Sequence, residues 1–366
     1  MKRLCVVRLG GMGDILLATP AVRALAQHFE TDEIDFVVGK GMKDALTGIP
    51  YLREVIEFDK AGPDARLARF FPFLLTLRNR RYDLFVNFHP SAKTIAMAVA
   101  SGAPRVLTFK KDRRKQPETG RVRHAVDDFS KELRPLGIPA VPDRQMDFAV
   151  PAAATARVAA LLGGEFGIAP ADTLLVVNPA ATRDVNRWPA EKFTELLNRL
   201  AVDLPDVRVA ISGGPTDLAL VQAILRALRE PGRVANFAGR VSIKELGALL
   251  ARAHCVVTAD TGPLHIASAV RAPLVCLSGA ADPDRTGPLS PRDLVVINRA
   301  LPCIACQSRT CARGDIACMT EMPVTWVLAA VKQRLFSSSS LFPSKARPAL
   351  LSGRGEEASA TGGGGL

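Results

Sequence analysis

The 366-residue chain is longer than one hydrophobic core usually fills, so two domains are expected; 48% hydrophobic and 23% charged residues is the composition of an ordinary globular protein. No apolar run approaches the roughly 20 residues of a membrane-spanning helix, and Arg8 and Asp14 interrupt any signal-peptide core at the N-terminus. Seven cysteines, three in apolar runs and four crowded late, do not form a secreted disulfide framework at this length and fit a reducing cytoplasm, while a net charge of +12 points to acidic partners: nucleic acid, phosphorylated small molecules or an anionic membrane surface.

In chain order, short apolar runs alternate with helical patterns. Strand-like segments at 4–9, 34–38, 55–58 and 83–88 are separated by a helix over 15–28, a helix over 65–80 and an apolar stretch at 94–100. After the sequence Phe148-Ala149-Val150-Pro151 the rhythm restarts, with strands at 173–178, 207–211, 255–258 and 273–277 between helices, and a last helix over 324–335. A βαβ alternation implies parallel sheets. The expected fold is α/β with two Rossmann-like domains, 1–150 and 151–336, followed by a Ser-, Pro- and Gly-rich tail over 337–366 that is too poor in apolar residues to pack.

The first strand leads into Gly10-Gly11-Met12-Gly13-Asp14. A dinucleotide fingerprint would need glycine at Arg8, and the second strand ends Val38-Gly39-Lys40 without a ribose-binding acid, so NAD is not expected. The loop does place a carboxylate, Asp14, where open α/β sheets bind ligands, with small glycines around it. Asp14 reads equally well as a helix cap. In the second half, three loops at successive strand ends have ligand character: 178–189 with Thr182, Arg183, Asn186 and Arg187, 212–217 ending in Asp217, and 258–265 with Asp260, Thr261, Gly262 and His265. The last opens a helix with Pro263 in its first turn, a setting that offers free N–H groups to phosphate.

Between Arg105 and His124 lie Lys110, Lys111, Arg113, Arg114, Lys115, Arg121 and Arg123 against Asp112 and Glu118. With no nucleic-acid motif and only 5% aromatic residues, this cationic loop suits a phosphorylated lipid in an anionic membrane better than nucleic acid. Ser91, Lys93 and Thr94 are also placed on this side. Cys303, Cys306, Cys311 and Cys318 are compact enough in sequence to hold a structural zinc ion, the alternative being reduced thiols. Asp282-Pro283-Asp284 imitates a metal-binding DxD but reads as a turn.

Taken together, the segment Arg8 to Asp14, the Arg187-Trp188-Pro189 step, Gly213-Gly214-Pro215, the stretch Val256 to His265 and the cysteine-bearing end resemble glycosyltransferase family 9, the bacterial ADP-heptose:lipopolysaccharide heptosyltransferases, over about residues 1–335. The resemblance implies the GT-B architecture and inverting transfer with no obligatory metal or cofactor. It implies Asp14 as catalytic base, with Thr182, Asn186, Arg187, Asp217, Val241, Asp260, Thr261, Gly262 and His265 on the ADP-heptose donor. Gly10, Gly11, Gly13, Lys93, Arg113, Arg121 and Arg123 are expected to face a phosphorylated lipopolysaccharide acceptor, with the enzyme at the cytoplasmic face of the inner membrane. Asn186 stands where many members carry a phosphate-neutralising lysine. That leaves open a different nucleotide sugar, or a non-catalytic nucleotide-sugar-binding module.

Overall fold

The computed structural model describes residues 1–110, 115–116, 119–139 and 141–336, with the side chain of residue 65 excepted. The expected disorder of 337–366, and Lys111, Arg113 and Arg114 of the basic segment, lie outside the described residues. Two parallel sheets organise the chain. The first contains β1 (Leu4–Arg8), β2 (Ile34–Gly39), β3 (Leu52–Phe58), β4 (Leu84–Asn87) and β5 (Arg105–Thr108) in the order β3-β2-β1-β4-β5. The second contains β6 (Leu174–Asn178), β7 (Arg208–Ile211), β8 (Val234–Asn236), β9 (Cys255–Ala259), β10 (Leu274–Ser278) and β11 (Leu294–Ile297) in the order β11-β10-β9-β6-β7-β8.

Helices cover both faces of each sheet. Strands β2, β4, β6, β9 and β10 are therefore buried at every residue, which is why they read as continuous apolar runs. In each sheet the chain starts in the middle and builds outward in both directions. The order reverses between β1 and β4 and between β6 and β9, and at such a switch point a crevice opens beyond the C-terminal ends of the strands. The Asp14 loop follows β1, and two of the ligand-type loops follow β6 and β9.

Three strands were not anticipated: β5, β8 and β11. All are edge strands of three or four residues with partly exposed side chains, so no continuous apolar run marks them. Strand β5 also shows that Arg105 to Thr108, expected as loop, pairs with β4. The single helix expected over 15–28 is two helices, Met12–Leu16 and Thr19–Phe29. Pro20 sits in the first turn of the second, and the Thr19 hydroxyl donates to the carbonyl of Leu16 at 2.7 Å, closing the break.

The two halves share one apolar core in which Ile15 and Leu16 lie with Leu264 and Ala267. Polar bonds lock the seam. The Gln145 side chain donates to the carbonyls of Ser268 and Ala269, Lys244 donates to those of Thr47 and Ala149, and Arg285 is ion-paired with buried Asp128. His124 is buried, and its proton placement follows from its partners: Nδ1 accepts from the Val126 N–H at 3.3 Å, and Nε2 donates to the Gly287 carbonyl at 3.2 Å. Burial first, then Arg144, hold it neutral, its pKa pushed down to about 3 despite the Gly287 bond.

At the opposite end of the first sheet, Asp35 on β2 is fully buried and gathers Arg53, Arg80 and the Tyr82 hydroxyl, the last at 2.6 Å. Burial raises the carboxyl pKa, but these three bonds outweigh it and the net shift is downward. A depressed folded pKa stabilises above the ordinary carboxylate range and loses that contribution as pH falls. We predict that Asp35→Asn costs about 3 kcal/mol in urea unfolding, the low end for a broken buried pair because both guanidinium groups reach water. The cost should shrink in acid, where wild-type Asp35 is itself protonated.

Candidate active site

The site begins with Arg8, the last residue of β1. Its Nη1 donates to the Phe88 carbonyl at 2.9 Å and lies 3.4 Å from His89 Nδ1, and its guanidinium stacks 5.3 Å from the centre of the Phe129 ring. These contacts tie β1 to the end of β4 across the switch point and fix the cation in place. Its Nη2 then meets Asp14 Oδ1 at 2.6 Å. The arginine side chain is 15% exposed and the aspartate 47%, so a largely buried cation, held at three sides, presents a half-exposed carboxylate. His89 is kept neutral, its pKa down to about 4, by burial and then by Arg8 and Lys60. A neutral ring can accept from Arg8.

Asp14 is the third residue of its helix; the N-cap is Gly11. Asp14 is therefore not the N-cap, and its carboxylate is directed to Arg8. Burial raises its pKa, but the charge and hydrogen bond of Arg8, helped by His265 and the Gly11 backbone, outweigh that and hold it below the usual carboxylate value. The glycines are explained by close approach. A Cβ at Gly10 would stand 2.6 Å from both Cβ and Oδ2 of Asp14, and one at Gly13 would stand 2.3 Å from Cδ2 of His265. Nothing comes within 4 Å of a Cβ built on Gly11, which leaves that side of the loop open.

Across the crevice, the loops after β6, β7 and β9 stand side by side because those strands are neighbours. Asn178 Nδ2 donates to Ser212 Oγ at 3.0 Å, and Asn186 Nδ2 reaches the Asp260 carbonyl at 3.5 Å. The side-chain oxygens of Asn178 and Asn186 are buried with no partner among the described residues. The helix Gly262–Ala269 starts from Thr261 with no side-chain cap; Pro263 has no N–H and the Leu264 N–H donates to the Thr261 carbonyl, so the N–H groups of Thr261 and Gly262 are the ones available to an anion.

Asp260 is turned inward. One carboxylate oxygen accepts from Thr286 Oγ at 2.6 Å, the other lies 3.5 Å from His265 Nε2, and the carboxylate is only 7% exposed. In the structure Asp260 thus holds His265 against Gly13. Asp217 accepts from the Gly214 N–H at 2.8 Å and so braces its own turn. Arg187 spans Asp184 at 2.9 Å and the Ala181 carbonyl at 3.1 Å, Thr182 is exposed on the same loop, and Val241 is half-buried against the core. Trp188 is a core anchor whose Nε1 donates to the Met322 carbonyl.

On the first domain's side, Lys93 donates to the Lys60 carbonyl at 2.9 Å and Lys60 to that of Leu9 at 2.7 Å, so both lysines support the glycine loop. Thr94 is fully buried in a capping box with Ser91 and does not face a ligand. Arg121 lies 3.7 Å from Asp284, and Arg123 lies 3.5 Å from Asp128. Both arginines thus lie near acids at the domain seam, Arg121 with a largely exposed side chain in the loop. Arg113 lies outside the described residues.

The late cysteines also need correction. Among the described residues no three His, Cys, Asp or Glu side chains gather closely enough to hold a metal ion. Cys303 and Cys306 are exposed, while Cys318 packs under Gly279. Asp282 caps the turn Pro283–Thr286, and from that turn Arg285 and Thr286 reach Asp128 and Asp260. Sequence reasoning passed over Arg8, His89, Asp128, Arg285 and Thr286. Only Arg8 gave a signal, as a charge at the end of a buried strand.

Two parallel Rossmann-like sheets facing each other across a shared crevice, with the first and second domains each offering a loop at a switch point, define a GT-B glycosyltransferase. The chain belongs to glycosyltransferase family 9 (heptosyltransferase), whose profile matches residues 72–317, more than half of its length. It is similar to lipopolysaccharide heptosyltransferase 3 of Escherichia coli, 28% identical over 284 residues that cover 74% of this chain and 81% of that protein. In fold it matches the crystal structure of the family 9 glycosyl transferase from Veillonella parvula DSM 2008, with a TM-score of 0.81 and 21% identity over 92% of this chain and 98% of the other. It also matches the E. coli ADP-heptose lps heptosyltransferase II, with a TM-score of 0.72 and 19% identity over 92% and 99%.

Replacing Arg8 by Gln removes the cation that keeps Asp14 ionised. The acid limb of the pH–rate profile, expected below the ordinary carboxylate range in the native enzyme, should move to higher pH in Arg8→Gln. An unchanged acid limb would show that Arg8 does not set the charge of Asp14.

Proposed function

We propose that the enzyme transfers heptose from ADP-heptose to the inner core of lipopolysaccharide with inversion, residues 1–150 receiving the acceptor and 151–336 the donor, at the cytoplasmic face of the inner membrane. The observation that carries this reading is the ionised, half-exposed Asp14, held by the largely buried Arg8 on a short helix that packs against the uncapped helix start at Thr261. An acceptor hydroxyl enters beside Gly11, where the loop is open. As its oxygen attacks the anomeric carbon its proton passes to Asp14, the bond from that carbon to the diphosphate oxygen breaks, and ADP departs with the electron pair.

A carboxylate with a lowered pKa is a weak base toward a free alcohol. It suffices here because the hydroxyl becomes acidic only as its bond to carbon forms, so proton transfer follows the attack. The growing charge on the leaving diphosphate falls to the N–H groups of Thr261 and Gly262 and to Arg187 on the neighbouring loop. Asn186 contributes no charge, which leaves these groups the larger share. The similarity to proteins named as lipopolysaccharide heptosyltransferases supports heptose and a core acceptor.

Asp14→Asn should lower ADP release from ADP-heptose and core-truncated lipopolysaccharide by about 10²–10⁴-fold, while ADP continues to raise the melting temperature of the variant as it does that of the native chain. Native-like turnover in Asp14→Asn would remove the base. In the same thermal-shift assay ADP should stabilise more than UDP or GDP, and a larger shift with UDP or GDP would replace the donor.

A further inference from the structure

The helices Leu67–Asn79 and Ala92–Ser101 lie side by side over one face of the first sheet. Their inner sides, through Phe70, Phe73, Leu77 and Met97, pack on Val7, Phe58 and Phe85. Their outer sides are apolar as well. Leu67, Phe71 and Leu75 recur every four residues and are 84%, 64% and 48% exposed, and Ile95 and Val99 are 50% and 75% exposed. Val106 on β5, paired beside Phe85 and so directed to the same face, is 49% exposed. Six of the nine exposed large hydrophobic side chains among the described residues thus share one surface, where a lone soluble domain scatters them.

The charge on this surface has one sign. From Arg66 to Arg81 the sequence holds five arginines and no acid, and the second helix holds Lys93 and no acid. Arg80 is engaged with Asp35 and Glu54. At the far end of the helices Arg78 and Arg81 join Arg3 around an open cavity of ≈ 770 Å³. The acids close by are already taken: Asp83 accepts from the N–H groups of Lys2 and Arg3, and Glu33 lies 3.7 Å from Arg3.

We infer that this face docks on an anionic lipid bilayer, the apolar stripe entering the acyl boundary and the arginines meeting lipid phosphates. A second copy of the chain is a poorer occupant, since a self-paired face would set arginine against arginine. The geometry joins the docked face to the crevice. Both helices start at the C-terminal ends of their strands, and Ser91, which caps the second, follows His89 beside Arg8. Docking by these helices therefore brings the Asp14 crevice to the level of the membrane surface, where a lipid-borne acceptor is presented. Only that last consequence rests on the transfer reading.

The test is co-sedimentation of the full chain with vesicles of equimolar phosphatidylglycerol and phosphatidylcholine, against vesicles of phosphatidylcholine alone. Native protein should bind the anionic vesicles and release as salt rises. Phe71→Ser with Val99→Ser should weaken binding at least about tenfold, equivalent to about 1.4 kcal/mol, with turnover on a water-soluble core oligosaccharide unchanged. Arg66→Glu with Arg69→Glu should weaken it similarly, and acids in the first helical turn favour the helix, so that loss would not come from misfolding. Undiminished vesicle binding by both double variants would overturn the inference, as would a lipid-free dimer that Phe71→Ser dissociates. Failure of the native chain to turn over the soluble acceptor would instead count against the transfer reading and leave the docking result standing.

Discussion

The site depends on one ion pair. Arg8 is costly to hold at the end of a buried strand, and it is tolerated because Phe88, His89, Phe129 and Asp14 accept the hydrogen bonds and charge of its terminal nitrogens, its Nε alone being buried without a partner among the described residues. The consequence runs in two directions. Asp14 is kept ionised and aimed into the crevice, and the loop between the two residues has to be glycine-rich because the carboxylate folds back over Gly10. A sequence that kept Asp14 but lost Arg8 or Gly10 would retain the residue and lose its geometry.

From this pair a closed circuit of contacts passes through both domains. Arg8 stacks on Phe129, whose neighbour Asp128 pairs with Arg285; Thr286 beside it bonds Asp260; Asp260 faces His265; and His265 packs on Gly13, one residue from Asp14. Removing any member loosens the relation between the two halves as well as its own bond. A neutral His124 at the same seam adds a reason for the halves to stay together near neutral pH. Its depressed pKa means that the unfolded chain binds a proton more readily, so its contribution is lost as pH falls below about 6.5.

The central strands were legible because parallel strands buried on both faces must be apolar throughout. The edge strands β5, β8 and β11 were not, since half-exposed segments of three or four residues carry no such run. The glycine loop and the helix start at Thr261 could be found from residue type and position alone. The protein partners of Asp260 and Asp217 could not, because a neighbouring hydroxyl or N–H that an aspartate bonds leaves no mark in its sequence surroundings. The long-range partners of Arg8, Asp128 and Arg285 arise only when strands 80 residues apart, or the two domains, come together. The cationic segment illustrates the same limit: its charge was plain, but the pairing of Arg121 and Arg123 with acids at the seam was not.

A crystal structure with an intact ADP-sugar bound tests the role of Asp14 most sharply. The diphosphate should lie at the N-terminus of the helix Gly262–Ala269 and the anomeric carbon should face Asp14, separated from it by room for a single hydroxyl group, with Arg8 still paired to the carboxylate. A donor whose anomeric carbon points away from Asp14, or a diphosphate seated elsewhere in the crevice, would contradict that role.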